Sequence, residues 1–515
     1  MKKNNSFLYE LIHSLSGNEK RYISLSVKSE ANKNHFKLFN AIEKQENFDE
    51  RTLRVALQNE SFVRHLPVLK HYLYDYILKK LHSFYYGVTL DVALQQSFVE
   101  AKILFKKNLF HQCKVKLTHI QKLAQKEEDF IILLRCAELE RELIEDSDYP
   151  GLETRDVEEI LQRELSLTRQ VDNLNKYKTL SSQVFISIKG FGNTSFHHRE
   201  EILKKYLKEP LIQNEKNASS LKAKTYFHFI RSTCYNYLHD YPNTLKSVEL
   251  LLSLMKPYIY TDESKLDSYL AFLNNKAHTL ISMQKYEDAL LTIDQLRLTS
   301  NPRKKMPEIT IRRILITSYT QEMNLYMHSG QYDKALDLIP VIEKVQKKYP
   351  ETIEESRQLL FYFHFAYVHF IFGNYKKAHT YLFKILNYKG GIHTREDIYC
   401  HSKIVQLLIF YESGKESFPK GVLQSAIYFI NKKEDLYPTE KVFLLFLRDK
   451  LLKNLGASEL QNEYHKIRQK IIHLQKNLEA EKTRFYFDFI AWIDSKIKGQ
   501  KFKEVLIEKN NRAVS

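Results

Sequence analysis

Gly330-Gln331-Tyr332-Asp333-Lys334-Ala335 and Gly373-Asn374-Tyr375-Lys376-Lys377-Ala378 follow one plan: a glycine, an aromatic two residues on, and an alanine three further. The glycine stops a helix, the aromatic opens the next, and the small residue lets that helix approach its neighbour. Tyr241-Pro242-Asn243-Thr244 and Tyr286-Glu287-Asp288-Ala289 repeat the aromatic and the small residue without the glycine. Around the first stretch, Tyr332, Ala335, Leu336, Ile339 and Ile342 fall on one helical face, and Tyr319, Met323 and Tyr326 share a face of the helix before it. Two amphipathic helices therefore meet across the turn His328-Ser329-Gly330-Gln331. Each pair leaves an apolar stripe that only a stacked neighbour can cover, so the expected class is all-α and the expected growth is by repetition.

Working outward, residues 361–372 with 375–386, and 273–281 with 286–296, read as further pairs, closed by Gly390-Gly391 and Asn301-Pro302. Ala101 to Leu104 followed by Asn108-Leu109-Phe110, Cys113, Leu117 and Ile120 reads as an earlier pair; residues 398–411 and 422–430 around Gly414 read as a later one. The glycine–aromatic–alanine turn resembles that of the tetratricopeptide repeat family, closely over residues 220–390 and loosely over 95–435. That resemblance implies a right-handed α-solenoid of antiparallel helix hairpins. The aromatics at 241, 286, 332 and 375 step by 45, 46 and 43 residues, against about 34 in the family, so longer helices or linkers are expected. HEAT-like repeats suit the period better but do not require this turn.

The ends differ. Residues 1–90 read as an N-terminal helical domain of short helices, one of them over residues 18–27 with Asn18 as its cap. Residues 91–435 read as the repeat region, and 436–515 as capping helices. In the last segment Leu460, Tyr464, Ile467, Ile471, Leu474 and Leu478 step by fours and threes, a short seam suited to closing a stack.

Thirteen glycines and 11 prolines in 515 residues are few, while 33 Tyr and 31 Phe are many, as long helices with ring-filled gaps require. The formal charge of +17 favours acidic partners in general, but no dense Lys/Arg run marks a polyanion site. Cys113, Cys136, Cys234 and Cys400 stand apart in apolar helical contexts, which points to reduced thiols and a cytoplasmic setting. Glu10 and His13 interrupt what would be the apolar stretch of a secretion signal. The most apolar run, residues 361–372, is short of the roughly 20 residues of a membrane span, so no membrane partner is expected.

No catalytic, metal or cofactor constellation emerges. His364 and His369 lie about 140° apart around a helix, and His197-His198 have no completing ligands nearby. Gly190-Phe191-Gly192 lacks the third glycine of a dinucleotide loop, with Ser195 in its place. Ser219 and Lys222 form only a chance-level Ser-x-x-Lys. The expectation is a non-enzyme without cofactors.

The resemblance places the first helix of each pair along a concave groove. Its projected contact positions are Tyr226, Phe229, Asn236, Asn274, His278, Thr320, Asn324, Phe363 and Tyr367. Amides there can bind a peptide backbone and rings offer flat contact area. The expected function is a protein-interaction scaffold taking a peptide or partner helix. The alternative is a nucleic-acid regulator using residues 33–82 as a helix-turn-helix-like module, with Arg64, Lys70, Lys79 and Lys80 on its last helix and the repeats as sensor.

Overall fold

The computed structural model describes residues 6–29, 33–85, 90–146, 154–190, 196–259, 263–299, 306, 308–348, 354–388, 395–414, 420–431, 438–451, 456–477 and 487–514. Among these there is no strand, and consecutive helices pack on one another in a repeat-like array. The chain divides into two compact units at Asp172/Asn173, a point inside one long helix.

The first unit begins with α1 (Phe7–Ser14), α2 (Gly17–Ser29), α3 (Lys33–Glu43), α4 (Glu50–Ala56) and α5 (Leu66–Phe84). Their inward residues, among them Ile12, Ile23, Leu38, Leu53, Leu73 and Ile77, make a core of their own. Asn18 does not cap α2. The helix starts one residue earlier, because Ser16 and Glu19 satisfy each other's backbone: the Ser16 N–H donates to Glu19 Oε2 at 2.6 Å, and the Glu19 N–H to Ser16 Oγ at 3.4 Å. Then come α6 (Leu90–Lys106), α7 (Phe110–Lys126), α8 (Phe130–Asp146) and the start of α9 (Thr154–Gly190). Ala101, Cys113, Leu117 and Ile120 are fully buried between α6 and α7.

The second unit holds the rest of α9 and α10 (Phe196–Leu207), α11 (Pro210–Gln213), α12 (Leu221–Tyr237), α13 (Tyr241–Met255), α14 (Glu263–Ser282), α15 (Tyr286–Leu298), α16 (Glu308–His328) and α17 (Tyr332–Lys348). It continues through α18 (Glu355–Ile371), α19 (Tyr375–Leu386), α20 (Glu396–Glu412), α21 (Lys420–Asn431), α22 (Pro438–Phe446), α23 (Ala457–Asn477), α24 (Phe489–Lys498) and α25 (Phe502–Val514). One apolar core runs from Ile316 of α16 to Leu506 of α25.

One turn recurs at the joints of these helices. A residue with left-handed φ is followed by a backbone N–H that reaches back five residues: Asp240 to the Tyr235 carbonyl, Lys285 to Leu280, Gln331 to Tyr326 and Asn374 to His369, all at 2.8–2.9 Å. This is the six-to-one bond of a Schellman cap. Leu109 to Leu104, Asp129 to Ala124 and Gln500 to Ser495 repeat it. Gly330 and Gly373 take the left-handed position at no steric cost, but Asn108, Glu128, His239 and Gln284 occupy it elsewhere. Three residues after the opening aromatic, Cys113, Thr244, Ala289, Ala335 and Ala378 are buried to 2% exposure or less. A larger side chain there would overpack the joint.

Candidate functional site

The first helices of successive pairs carry polar residues in register. On α16, Arg313, Thr317 and Gln321 recur every four residues and share a face; on α14, Asp267 and Asn274 are seven apart and do the same. Arg313 pairs with Asp267 at 2.9 Å, and Gln321 Nε2 donates to Asn274 Oδ1 at 2.7 Å. Arg357 of α18 donates to Thr317 Oγ1 at 3.0 Å, and Arg395, just before α20, to the Ser356 carbonyl at 3.4 Å. Each link ties a first helix to the next first helix, skipping the one between. Thr317 and Gln321 are buried, so these bonds satisfy groups that would otherwise be costly.

The charges along this strip are unevenly matched. Arg395 also forks Asp397 at 2.9 and 3.0 Å. Arg357 has no carboxylate within ion-pair distance among the described residues, and burial pulls its guanidinium below the ordinary arginine range. Burial, followed by repulsion from His328 and Arg395, pushes His364 down to about 3.

Of the positions projected onto a groove, His278 is exposed, and Tyr226, Asn236, Asn274 and Asn324 are half-buried. Phe229 is half-buried between Phe185 of α9 and Phe272 of α14, with ring centroids 5.6 and 6.2 Å away. Thr320 is buried and gives its hydroxyl to the Ile316 carbonyl of its own helix. Phe363 and Tyr367 are 1% and 9% exposed; the Phe363 ring meets His401 of α20, and the chain's own C-terminal segment covers Tyr367. Tyr367 stands 5.4 Å from the Phe487 ring and 6.4 Å from Phe502, and its hydroxyl accepts the Asp488 N–H.

That C-terminal cover is extensive. Trp492 is fully buried and donates Nε1–H to Glu412 Oε1 at 2.8 Å, an oxygen that Lys496 also holds. Lys503 pairs with Asp333 at 2.8 Å, and Asn510 donates to the Tyr332 hydroxyl at 3.2 Å. Within α23, Tyr464, Ile467 and Ile471 are buried, Tyr464 against Trp492 and Phe446; Leu478 lies outside the described residues. The density of rings at Phe487, Phe489, Trp492 and Phe502 was the available sign of this docking, but the rings alone do not say which helices they meet.

Among the described residues no cluster of His, Cys, Asp and Glu could hold a metal ion, and no helix is long and apolar enough to cross a membrane. All four cysteines are free and buried, and burial pushes the Cys136 and Cys234 thiols up to about 12, away from nucleophilic use. The run Val184–Ile188 is helical, within α9; residues 191–195 of the glycine-containing stretch, like Asn301-Pro302 and Gly390-Gly391, lie outside the described residues. In the first unit Arg54 and Lys70 share Glu50, Lys37 holds Glu60, and Lys80 lies over the Tyr76 ring, so several basic groups of the helix-turn-helix-like stretch are engaged internally. No known protein-family model matches the chain, and no curated protein compared with it is similar.

Proposed function

We propose that this chain is a non-catalytic, cytoplasmic protein-interaction scaffold of tetratricopeptide type: a right-handed solenoid of antiparallel helix hairpins whose inner face takes a peptide or partner helix. The shared Schellman turn and the buried small residue after each aromatic support the repeat reading. The observation that carries the binding reading is the polar strip linking α14, α16, α18 and α20. Such links make the first helices direct neighbours, as the inner wall of a hairpin solenoid requires.

The usable stretch of that wall is α12, α14 and α16. There Tyr226, Asn236, Asn274, His278 and Asn324 keep surface, whereas on α18 Phe363 is buried against His401 of α20 and Tyr367 is covered by Phe487, Asp488 and Phe502. Amides and an imidazole spaced along neighbouring helices favour a ligand rich in backbone hydrogen bonds. The test is affinity capture from native lysate with the full chain and with a variant carrying Asn274→Ala, His278→Ala and Asn324→Ala. The proposal expects a partner whose recovery falls at least about tenfold with the variant, as loss of hot-spot contacts produces. Equal recovery by both proteins overturns it.

A further inference from the structure

Away from the inner wall, α12 and α13 enclose a second feature. Arg231 follows Tyr226 by five positions and so points about 140° away around α12. It meets Lys246 of α13 across a recess of about 210 Å³, also lined by Phe227, His228, Asn243 and Ser247. Neither cation has a carboxylate within ion-pair distance among the described residues. Three other partly buried guanidiniums of this unit do, Arg297 with Glu322, Arg395 with Asp397 and Arg468 with Asp494, whereas Arg357 shares the lack but spends an N–H on Thr317 inside the strip. Two acids reach the lining but hold other groups of it than these cations: Glu215 holds His228 and Lys224, and Asp240 takes the N–H and side-chain amide of Asn243.

Arg231 is also held in place. Its guanidinium lies 5.4 Å from the Phe227 ring centre and 5.3 Å from that of Tyr235, and it donates to the Ile212 carbonyl and the Tyr235 hydroxyl, both at 3.2 Å. Two of its five N–H groups are used, which leaves three for a ligand. His228 is 4% exposed and its Nδ1 has no hydrogen-bond partner. Ser247 gives its proton to the Asn243 carbonyl at 2.9 Å, so its oxygen remains an acceptor.

We propose that this recess binds a phosphate-type oxyanion, free or as a small phosphate monoester. A fixed guanidinium and an exposed ammonium on adjacent helices are complementary to an anion with several acceptor oxygens. The Ser247 oxygen suits a protonated oxygen or a hydroxyl on the ligand, and Phe227 with Leu250 supplies an apolar wall for a short carbon chain. The volume is well above the 10–15 Å³ or so that admits one water, yet below the roughly 300 Å³ at which cofactor pockets begin. The recess therefore has room to bury a phosphate group but not a whole nucleotide.

The experiment is calorimetric titration of the full chain with inorganic phosphate and with glycerol 2-phosphate, at constant ionic strength with chloride as reference. Saturable binding of either anion is expected, and the tighter of the two identifies the source of the phosphate. Lys246 is exposed, so Lys246→Ala should fold normally and weaken binding about tenfold, Lys246→Arg should restore it, and Lys347→Ala on α17 should leave it unchanged. Binding of neither anion, or equal binding by Lys246→Ala and the parent, overturns the proposal. The groove variant of the previous section leaves this recess intact, so the two proposals fail independently.

Discussion

Phe487→Ala tests how the C-terminal segment is held. The Phe487 side chain is fully buried, and its ring sits 5.3–5.6 Å from those of Tyr367, Phe370, Phe489 and Phe502. Truncating a buried Phe to Ala costs about 3–5 kcal/mol, the upper part where neighbours cannot collapse into the gap. Four rings fixed by other contacts make collapse difficult, so about 4 kcal/mol is the working figure. Trp492, the only tryptophan in the chain, is fully buried in α24 five residues further on and reports detachment through its emission. If α24 and α25 release as a piece with a urea dependence of about 2 kcal/mol per molar, the emission transition moves down by about 2 M. The far-UV helical signal, dominated by the remaining helices, should move much less, because stacked helices can open locally. Phe383→Ala, at a residue 58% exposed, is the matched control. A shift below about 0.5 M would refute the claim that these rings hold the segment, since that is the size of a surface substitution effect. Coincident movement of both signals would refute local release.

Gly330→Ala and Gly373→Ala both force alanine into left-handed φ, +73° and +72°, at about 1–2 kcal/mol each. Only at Gly330 does the new Cβ meet Asn510, 2.6 Å from its Nδ2, so Gly330→Ala should cost about 1 kcal/mol more by urea denaturation, a difference that an Asn510→Ala background removes. Gln284→Gly, at φ +59° on the surface, should stabilise by about 0.5–1 kcal/mol in the same assay, because relief of left-handed strain exceeds the added freedom of the unfolded chain. His364 is held to about 3 by burial and nearby cations. The folded state therefore refuses a proton that the unfolded chain accepts below pH 6.5 or so, and stability falls as pH drops through that range. At pH 5 the loss is at most about 2 kcal/mol, since His364 is half-buried, and His364→Gln should flatten the stability profile between pH 7 and 5 by up to that amount; an unchanged slope refutes the neutral imidazole.

Parts of this architecture were written in local sequence and parts were not, and the division has a physical basis. Gly330 and Gly373 were legible because glycine is the residue that left-handed φ favours. The same geometry at His239, Gln284, Asn108 and Glu128 was hidden, because the Schellman bond and burial of the following helix hold those residues at a local cost of about 1 kcal/mol that tertiary packing outweighs. At His239, Gln284 and Asn108 the aromatic and the small residue after it carried the signal, which comes from packing; after Glu128, Phe130 is followed by Leu133, and no such signal marked the turn. Asn274, which the resemblance projects onto an inner wall, faces α16. Its bond to Gln321 was not legible, because periodicity orients a side chain without naming what stands opposite. The cover over Tyr367 was least legible of all. It joins residues more than 100 positions apart, and the local pattern around Tyr367 is identical whether that face meets solvent, a partner or the chain's own C-terminus. A groove inferred from repeats alone therefore overstates its open length wherever a later segment of the same chain carries enough rings to fill it.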